Sequence, residues 1–389
     1  MEKTFESQLE ELLENDPVSI FNQNRCKFDE LAGPFANAIV LAGAGEVGQK
    51  ALAGLRRLGI EPLAFADNNS DLWGKAINGL DVLSPQEAAQ KFCDRAVFVV
   101  TVYNGSGVGK QLRNLNCARV APFAYLFWKY PEILLPHASL DKPHQIYMEA
   151  DDVRKSLSLW ADEVSRREYL AQLRWRLFLD SDSLPPPLPM GQIYFPLDLI
   201  SLSSEEVFVD CGAFDGDSVR NFIQRQRSTF RQIIAIEADP TNYKKLQHSI
   251  SALPGDIQNR VVVRQLAIGK QAGKIRFDAR GTAGSSIATS GGVEVECAPL
   301  DDILKGYLPT YIKMDIEGAE VDALMGAQNL IKKASAVWAI CLYHQQDHLW
   351  RVPHFMHSLS NRFSFFLRRY AEEGWELLCY AVPIERLAT

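Results

Sequence analysis

The chain has 389 residues, 47% of them hydrophobic and 23% charged, with a formal net charge of −7 from 41 basic and 48 acidic side chains. That length exceeds one ordinary domain, so two units of roughly 130 to 200 residues are expected, and no apolar run reaches the roughly 18 residues of a membrane span. The acidic balance excludes nucleic acid as a partner, and seven cysteines without a CxxC pair fit a reduced, cytoplasmic compartment.

The opening MEKTFESQLEELLEND is acidic and amphipathic, unlike a secretory signal, and predicts a surface helix ending before Pro17. Residues 38–42 read AIVLA, an apolar strand that runs into Gly43, Gly45 and Gly48 and then a helix over 46–58. This is the spacing of a dinucleotide-binding turn, where backbone N–H groups at a helix N-terminus meet a phosphate. Strands at 61–66 and 96–102 alternate with helices at 85–92 and 107–115, which implies right-handed crossovers and a parallel sheet. Asp67 ends the second strand at a distance suited to a ribose diol. The block from Ala38 to Glu87 resembles the small nucleotide-binding domains attached to sugar-modifying enzymes of polysaccharide biosynthesis. That resemblance implies a nucleotide, a nucleotide-sugar or a nicotinamide cofactor. Binding without redox chemistry is the expectation for residues 1–135. The stretch NGSGVGKQ at 104–111 fails as a Walker loop, because Asn104 and Gln111 stand where glycine and Ser/Thr are required.

Residues 141–180 carry Leu157, Trp160, Val164, Tyr169, Leu170 and Leu173 at helical spacing and predict a connecting helical segment. SLPPPLP at 183–189 then stops any helix and reads as a stiff linker. From Glu206 the alternation resumes: VFVD, QIIAIE, RVVVRQLAI, YIKMDI and AVWAICLYH are strands separated by helical or hairpin stretches. SFFLRRY and WELLCYAV close the chain across a short turn at Glu372 to Gly374, so one of them is expected to run antiparallel. The fold class is therefore α/β with two doubly wound domains. The boundaries read from the sequence are 1–135, a helical connector and linker at 136–189, and 190–389.

The second glycine turn differs chemically from the first. In VFVDCGAFDGDSV, Asp210, Asp215 and Asp217 surround Gly212 and Gly216. Carboxylates at contact distance repel a phosphate by on the order of a kcal/mol or more, whereas they suit a cationic, phosphate-free ligand such as S-adenosylmethionine. Glu237 ends the next strand, where an acid can accept both ribose hydroxyls. YIKMDIEGAEVDALMGA then places Asp315 and Glu317 at a strand end, the position at which an open α/β sheet holds its ligands, and Glu320 at a helix start, where it complements the dipole.

Together VDCGAFDGDS, IEADP, IKMDIEGAE and LYHQQDHLWRVP resemble the FkbM-type methyltransferases over roughly residues 190–389. The resemblance implies a class I methyltransferase sheet of seven strands with one antiparallel, S-adenosylmethionine as cofactor, and methylation of a hydroxyl on a saccharide or polyketide-like product. It further implies that Asp210, Gly212 and Ala213 face the methionine moiety, with Phe214-Asp215-Gly216 standing where the family often has Asn-Ile-Gly. Glu237 would hold the ribose, Ala238 and Ala267 would flank the adenine, and Asp315 would lie beside the sulfonium.

His344 ends its strand at the same sheet edge and is a candidate general base, or else a structural histidine bonded to a carbonyl. His348 follows one helical turn later. Asp315, Glu317 and His344 are alternatively a site for a divalent metal ion. The Gly/Ser stretch 280–292 reads as a lid touching acceptor hydroxyls through Ser285 or Ser286, or as an inert surface loop. The functional expectation is an S-adenosylmethionine-dependent O-methyltransferase of polysaccharide or glycolipid biosynthesis, acting on a small-molecule or saccharide substrate. An NAD-dependent oxidoreductase and a non-catalytic nucleotide-sugar-binding protein are the competing readings, and an oligomer is compatible with either.

Overall fold

All four residues of β1 (Ile39–Ala42) are buried, as are all five of β7 (Val207–Cys211), the pattern of strands covered on both faces. The computed structural model describes residues 3–279, 286–287, 292–333 and 335–388. Contacts divide the chain into two units. The first comprises Met1–Ala150, Leu170–Pro187 and Ala371–Trp375, and the second Asp151–Tyr169, Leu188–Tyr370 and Glu376–Thr389. Among the described residues no helix is long and apolar enough to cross a membrane.

In the first unit β2 (Ala64–Ala66), β3 (Ala76–Ile77), β4 (Leu80–Leu83), β5 (Val97–Val100) and β6 (Val120–Pro122) join β1 in the order β3-β4-β2-β1-β5-β6. All neighbours are parallel except β3 and β4. Helices α1 (Glu46–Arg57), α2 (Pro85–Phe92) and α3 (Ser106–Asn114) lie where their apolar spacing places them. The β3–β4 hairpin turns through Asn78 and Gly79, with φ of 51° and 78°, the left-handed pair that an Asn-Gly hairpin turn adopts. Gly48 is required for packing, since a Cβ there would sit 2.0 Å from the Gly43 carbonyl oxygen.

The expected connecting segment forms three helices, His144–Met148, Ala150–Leu159 and Glu163–Phe178, and residues 183–189 carry no helix or strand. In the second unit the strands are β8 (Gln232–Glu237), β9 (Val261–Gln265), β10 (Ala267–Ile268), β11 (Gly273–Asp278), β12 (Ser286–Ile287), β13 (Val293–Ala298), β14 (Tyr311–Met314), β15 (Val337–Cys341), β16 (Phe363–Arg369) and β17 (Leu377–Pro383). Seven form one sheet in the order β16-β17-β15-β14-β7-β8-β9, in which β17 alone runs antiparallel to its neighbours. This is the expected doubly wound sheet with one reversed strand. A second sheet, β10-β13-β11-β12, stands apart from it. Of the stretch expected as a lid, 280–285 and 288–291 lie outside the described residues, Ser285 among them, and the side chain of Ser286 is not described. Four helices matter below: α4 (Asp217–Arg225), α5 (Pro240–Ser251), α6 (Glu320–Met325) and α7 (His348–Leu359).

A buried charge pair sits at the centre of the large sheet. Lys313 on β14 and Asp210 on β7 are register partners, with Nζ 3.1 Å from Oδ1 and both side chains almost wholly buried. Lys313 also donates to the Gly212 carbonyl at 2.7 Å, and the Ser218 hydroxyl at the start of α4 donates to Asp210 Oδ2. Burial alone would pull Lys313 down, but Asp210 and then Asp315 outweigh it, and the ammonium is held above the usual lysine range. Removing one partner of such a pair leaves the other charged and desolvated. Lys313→Met is therefore expected to lower unfolding free energy by about 3–5 kcal/mol, read from the urea midpoint. A loss under about 1 kcal/mol would contradict this account.

Candidate functional site

Three turns at the carboxyl ends of β7, β8 and β14 meet around a cavity of ≈ 210 Å³. Their meeting depends on Gly212, whose φ is 81° and where a Cβ would lie 1.9 Å from the Asp315 carbonyl oxygen. No other residue type lets the β7 turn lie against the β14 turn. Gly212, Phe214, Glu237, Ala238, Ala267, Asp315 and Glu317, all expected from the sequence, line the cavity. Ala213 is fully buried and lies outside the lining. Asp210 does not reach the cavity either, because its carboxylate is engaged by Lys313 and Ser218. Asp215 is likewise outside the lining and pairs with Arg220 at 2.9 Å.

Asp217, one of the carboxylates around the second glycine turn, also lines the cavity, and several lining residues carried no expectation from the sequence: Tyr194, Asn242, Lys313, Tyr343 and Glu376. Asp315 is fixed by two of them, since the Tyr194 hydroxyl donates to Oδ2 at 2.9 Å and the Tyr343 hydroxyl to Oδ1 at 3.2 Å. Burial pushes both phenols well above their usual range, so they remain donors. Tyr194 is held in turn by Lys313, whose Nζ lies 5.2 Å from the ring centroid. The signals for Lys313 and Tyr343 were present, as a lysine inside the apolar run YIKM and a tyrosine preceding His344. Tyr194 and Glu376 have no local signal, since tertiary packing alone brings them in.

Charge divides the wall. Asp217, Glu237, Asp315, Glu317 and Glu376 supply five carboxylates against the single amine of Lys313, itself consumed by Asp210 and the Gly212 carbonyl. Ala238, Leu266, Ala267, Ile268 and Phe277 add an apolar part to the lining, and Ala238, Ala267 and Phe277 belong to one hydrophobic cluster. Glu237 accepts from the backbone N–H groups of Phe214 and Asp239, each at 2.8 Å. Burial outweighs those bonds and raises its carboxyl to about 7. Glu376 is raised to about 7 by burial, then by the charge of Asp315. Tyr194, Phe214, Glu317 and Glu376 all have positive φ, between 47° and 67°, a strained conformation for residues with side chains and one that concentrates at functional sites.

His344 stands behind Asp315 and Glu317. Its Nδ1 lies 2.8 Å from Glu320 Oε1 at the start of α6, and its Nε2 lies 3.4 Å from Asp315 Oδ1 and 3.7 Å from Glu317 Oε1. Burial disfavours the imidazolium, but Glu320 and the two other carboxylates outweigh it and raise His344 to about 10. So held, it carries both ring protons at neutral pH and has no lone pair with which to accept another. Glu320, fully buried, is correspondingly lowered to about 2: burial raises it, and His344 and then His348 overcome that. It also accepts from Ile316 N–H at 3.0 Å. Its position is thus set by the histidines and the turn as well as by the helix dipole. His348 Nδ1, on α7, lies 3.3 Å from Glu320 Oε2.

In the first unit Gly43 and Asp67 line a smaller cavity of ≈ 80 Å³, beside Asn68 and Pro85. Asp67 accepts from Ala44 N–H and Asn69 N–H, each at 2.8 Å. Gly45 borders open space, whereas Gly48 serves the packing of α1.

Residues 210–370 match the family model described as the methyltransferase FkbM domain. Among solved structures, methyltransferase FkbM from Methylobacillus flagellatus KT aligns with a TM-score of 0.72 at 22% identity, covering 94% of this chain and 100% of that one. Precorrin-6y C5,15-methyltransferase from Geobacter metallireducens GS-15 aligns at 10% identity and a TM-score of 0.30, covering 46% of this chain and 80% of that one. No curated protein matches the sequence. The first alignment extends the shared fold over almost the whole chain, and the match to the FkbM methyltransferase domain lies within it at residues 210–370.

Proposed function

We propose that the second unit is an S-adenosylmethionine-dependent O-methyltransferase that modifies a hydroxyl of a saccharide or related natural product in polysaccharide or glycolipid assembly. The observation that carries this reading is a cavity lining that combines five carboxylates with a group of apolar side chains. A ligand with an ammonium, a sulfonium and an adenine needs both at once, while a dinucleotide pyrophosphate would meet repulsion. In this reading the ammonium end lies at Gly212 and Asp217, the ribose diol at Glu237, and the adenine between Ala238 and Ala267. The sulfonium faces Asp315. Phe277 and Leu266 exclude water from the purine.

Methyl transfer asks mainly for alignment of the acceptor oxygen behind the methyl carbon at about 3–3.5 Å. Asp315, clamped by two phenols, supports that alignment from the donor side. The acceptor proton must also be taken, and His344 does not suit the task in the charged state described above. Glu376 does, because its carboxyl lies on the cavity wall and titrates near neutrality. An oxygen-rich rim of Tyr194, Tyr343 and Glu317 suits a neutral polyol. In the first unit we assign Gly43, Gly45 and Asp67 to a nucleotide or nucleotide-sugar, supported by their place at the carboxyl ends of β1 and β2, with Gly48 letting α1 pack against that turn. An oxidoreductase on that sheet is disfavoured because the tyrosine–lysine pair at helical spacing, Tyr125 and Lys129, is absent from the lining of the Gly43–Asp67 cavity and Lys129 pairs with Asp29 at 2.5 Å.

Three measurements test this reading. S-adenosylhomocysteine at a hundred times its dissociation constant is expected to raise unfolding free energy by about 2.7 kcal/mol; an unchanged melting curve would refute it. The ribose diol donates to the ionised form of Glu237, and that carboxyl is raised to about 7. Protons therefore compete with ligand below that value, and affinity should rise about tenfold between roughly pH 6 and pH 8. Glu237→Gln should flatten the profile, and a flat wild-type profile would count against the assignment. Glu376→Gln should cut turnover by about 10²–10⁴-fold while leaving S-adenosylhomocysteine affinity within about twofold; unchanged turnover would remove Glu376 from the mechanism.

A further inference from the structure

We propose that Asp315, Glu317 and His344 bind one divalent cation of the Mn²⁺ class beside the methyl-donor pocket. One ligand atom from each residue can be chosen so that all lie within 4.8 Å of one another. Acidic groups alone would not make a site, and the independent observation is the imidazole. His344 is almost wholly buried, and its Nε2 has no hydrogen-bond partner among the described residues. That atom points at both carboxylates, at 3.4 Å and 3.7 Å.

The rest of the ring is arranged as a ligating histidine requires. Its Nδ1 donates to Glu320 Oε1 at 2.8 Å, and a carboxylate on the far nitrogen fixes the tautomer and aims the Nε2 lone pair at a metal. Glu320 is itself fixed by Ile316 N–H and faces His348, so it acts as a positioning residue through His344. Adjacent ligands on a metal with bonds of about 2.1 Å are about 3 Å apart, so the two imidazole–carboxylate separations of 3.4 Å and 3.7 Å must close by roughly half an ångström when a cation enters. Two carboxylates and one imidazole favour Mn²⁺ over the harder Mg²⁺ and the softer thiolate-seeking ions. The backbone at Glu317 and Gly318, with φ of 54° and 99°, turns the chain back so that Glu317 and Asp315 both reach the cavity.

Cation entry expels the Nε2 proton to solvent. Asp315 and Glu317 line the cavity, so the remaining coordination positions face the acceptor. A hydroxyl oxygen bound there is polarised and loses its proton more readily. The inference deepens the methyltransferase reading and rests on it for the role of the ion, though not for its binding.

The test is a titration of the full-length, chelator-treated protein with Mn²⁺ alone, followed by electron paramagnetic resonance, with S-adenosylhomocysteine calorimetry run in parallel. One Mn²⁺ per chain is expected. Glu317→Gln, on a partly exposed turn, and His344→Ala should each weaken binding at least about tenfold, and Glu320→Gln about 10–100-fold. The absence of stoichiometric Mn²⁺ binding would overturn the site, as would equal binding by wild type and Glu317→Gln, the variant least able to disturb folding. S-adenosylhomocysteine binding without Mn²⁺ binding refutes the metal and spares the donor reading. Mn²⁺ binding that depends on Glu317, without S-adenosylhomocysteine binding, supports the site and refutes the donor reading.

Discussion

The arrangement of the second unit depends on one buried cation. Lys313 lies inside an apolar strand and touches Asp210, the Gly212 carbonyl and the face of Tyr194. Its partners belong to the elements that frame the cavity: the strand before the acidic glycine turn, the turn itself, and the segment that clamps Asp315. A desolvated ammonium is costly unless each of its protons has an acceptor. The same contacts that satisfy it therefore fix where the turn and Tyr194 stand.

From that anchor the electrostatics of the pocket follow. Because Lys313 is consumed internally, it does not neutralise the wall, and five carboxylates remain around the cavity. Two respond by shifting their carboxyls to about 7, which lowers the charge accumulated before a cationic ligand arrives. Behind the wall, His344 and Glu320 form a second buried pair oriented outward toward Asp315 and Glu317. The backbone at Tyr194, Phe214, Glu317 and Glu376 adopts left-handed conformations, and such strain persists only where surrounding packing over-determines it. It collects at the rim where ligand and chain must approach closely.

Much of this was legible in the sequence, because strand alternation, glycine turns and strand-end carboxylates are local signals. Gly212, Glu237, Asp315 and Glu317 were placed together by such signals, Phe214, Ala238 and Ala267 by the family resemblance, and the structure brings all seven to one cavity. Asp210 shows the limit of the method. A carboxylate at the end of an apolar strand must find a partner, but only the register of β14 against β7 reveals that the partner is Lys313 rather than a ligand. Asp215 shows the same limit, since spacing alone cannot say that it faces Arg220. Tyr194 and Glu376 lie far along the chain from the motifs and in turns without periodicity. The hairpin at Asn78-Gly79 carried a readable turn signal, yet its two-residue edge strand is too short for a period to emerge. His344 was recognised, but its charge state depends on Glu320, and no spacing rule supplies that.

The central claim is that the carboxyl edge of β7, β8 and β14 holds a sulfonium nucleoside. A crystal structure of the protein with S-adenosylhomocysteine tests it most directly. The account requires the adenine between Ala238 and Ala267, the ribose diol on Glu237 and the thioether beside Asp315. Ligand density at the glycine turn of the first unit, with none at Gly212, would contradict it.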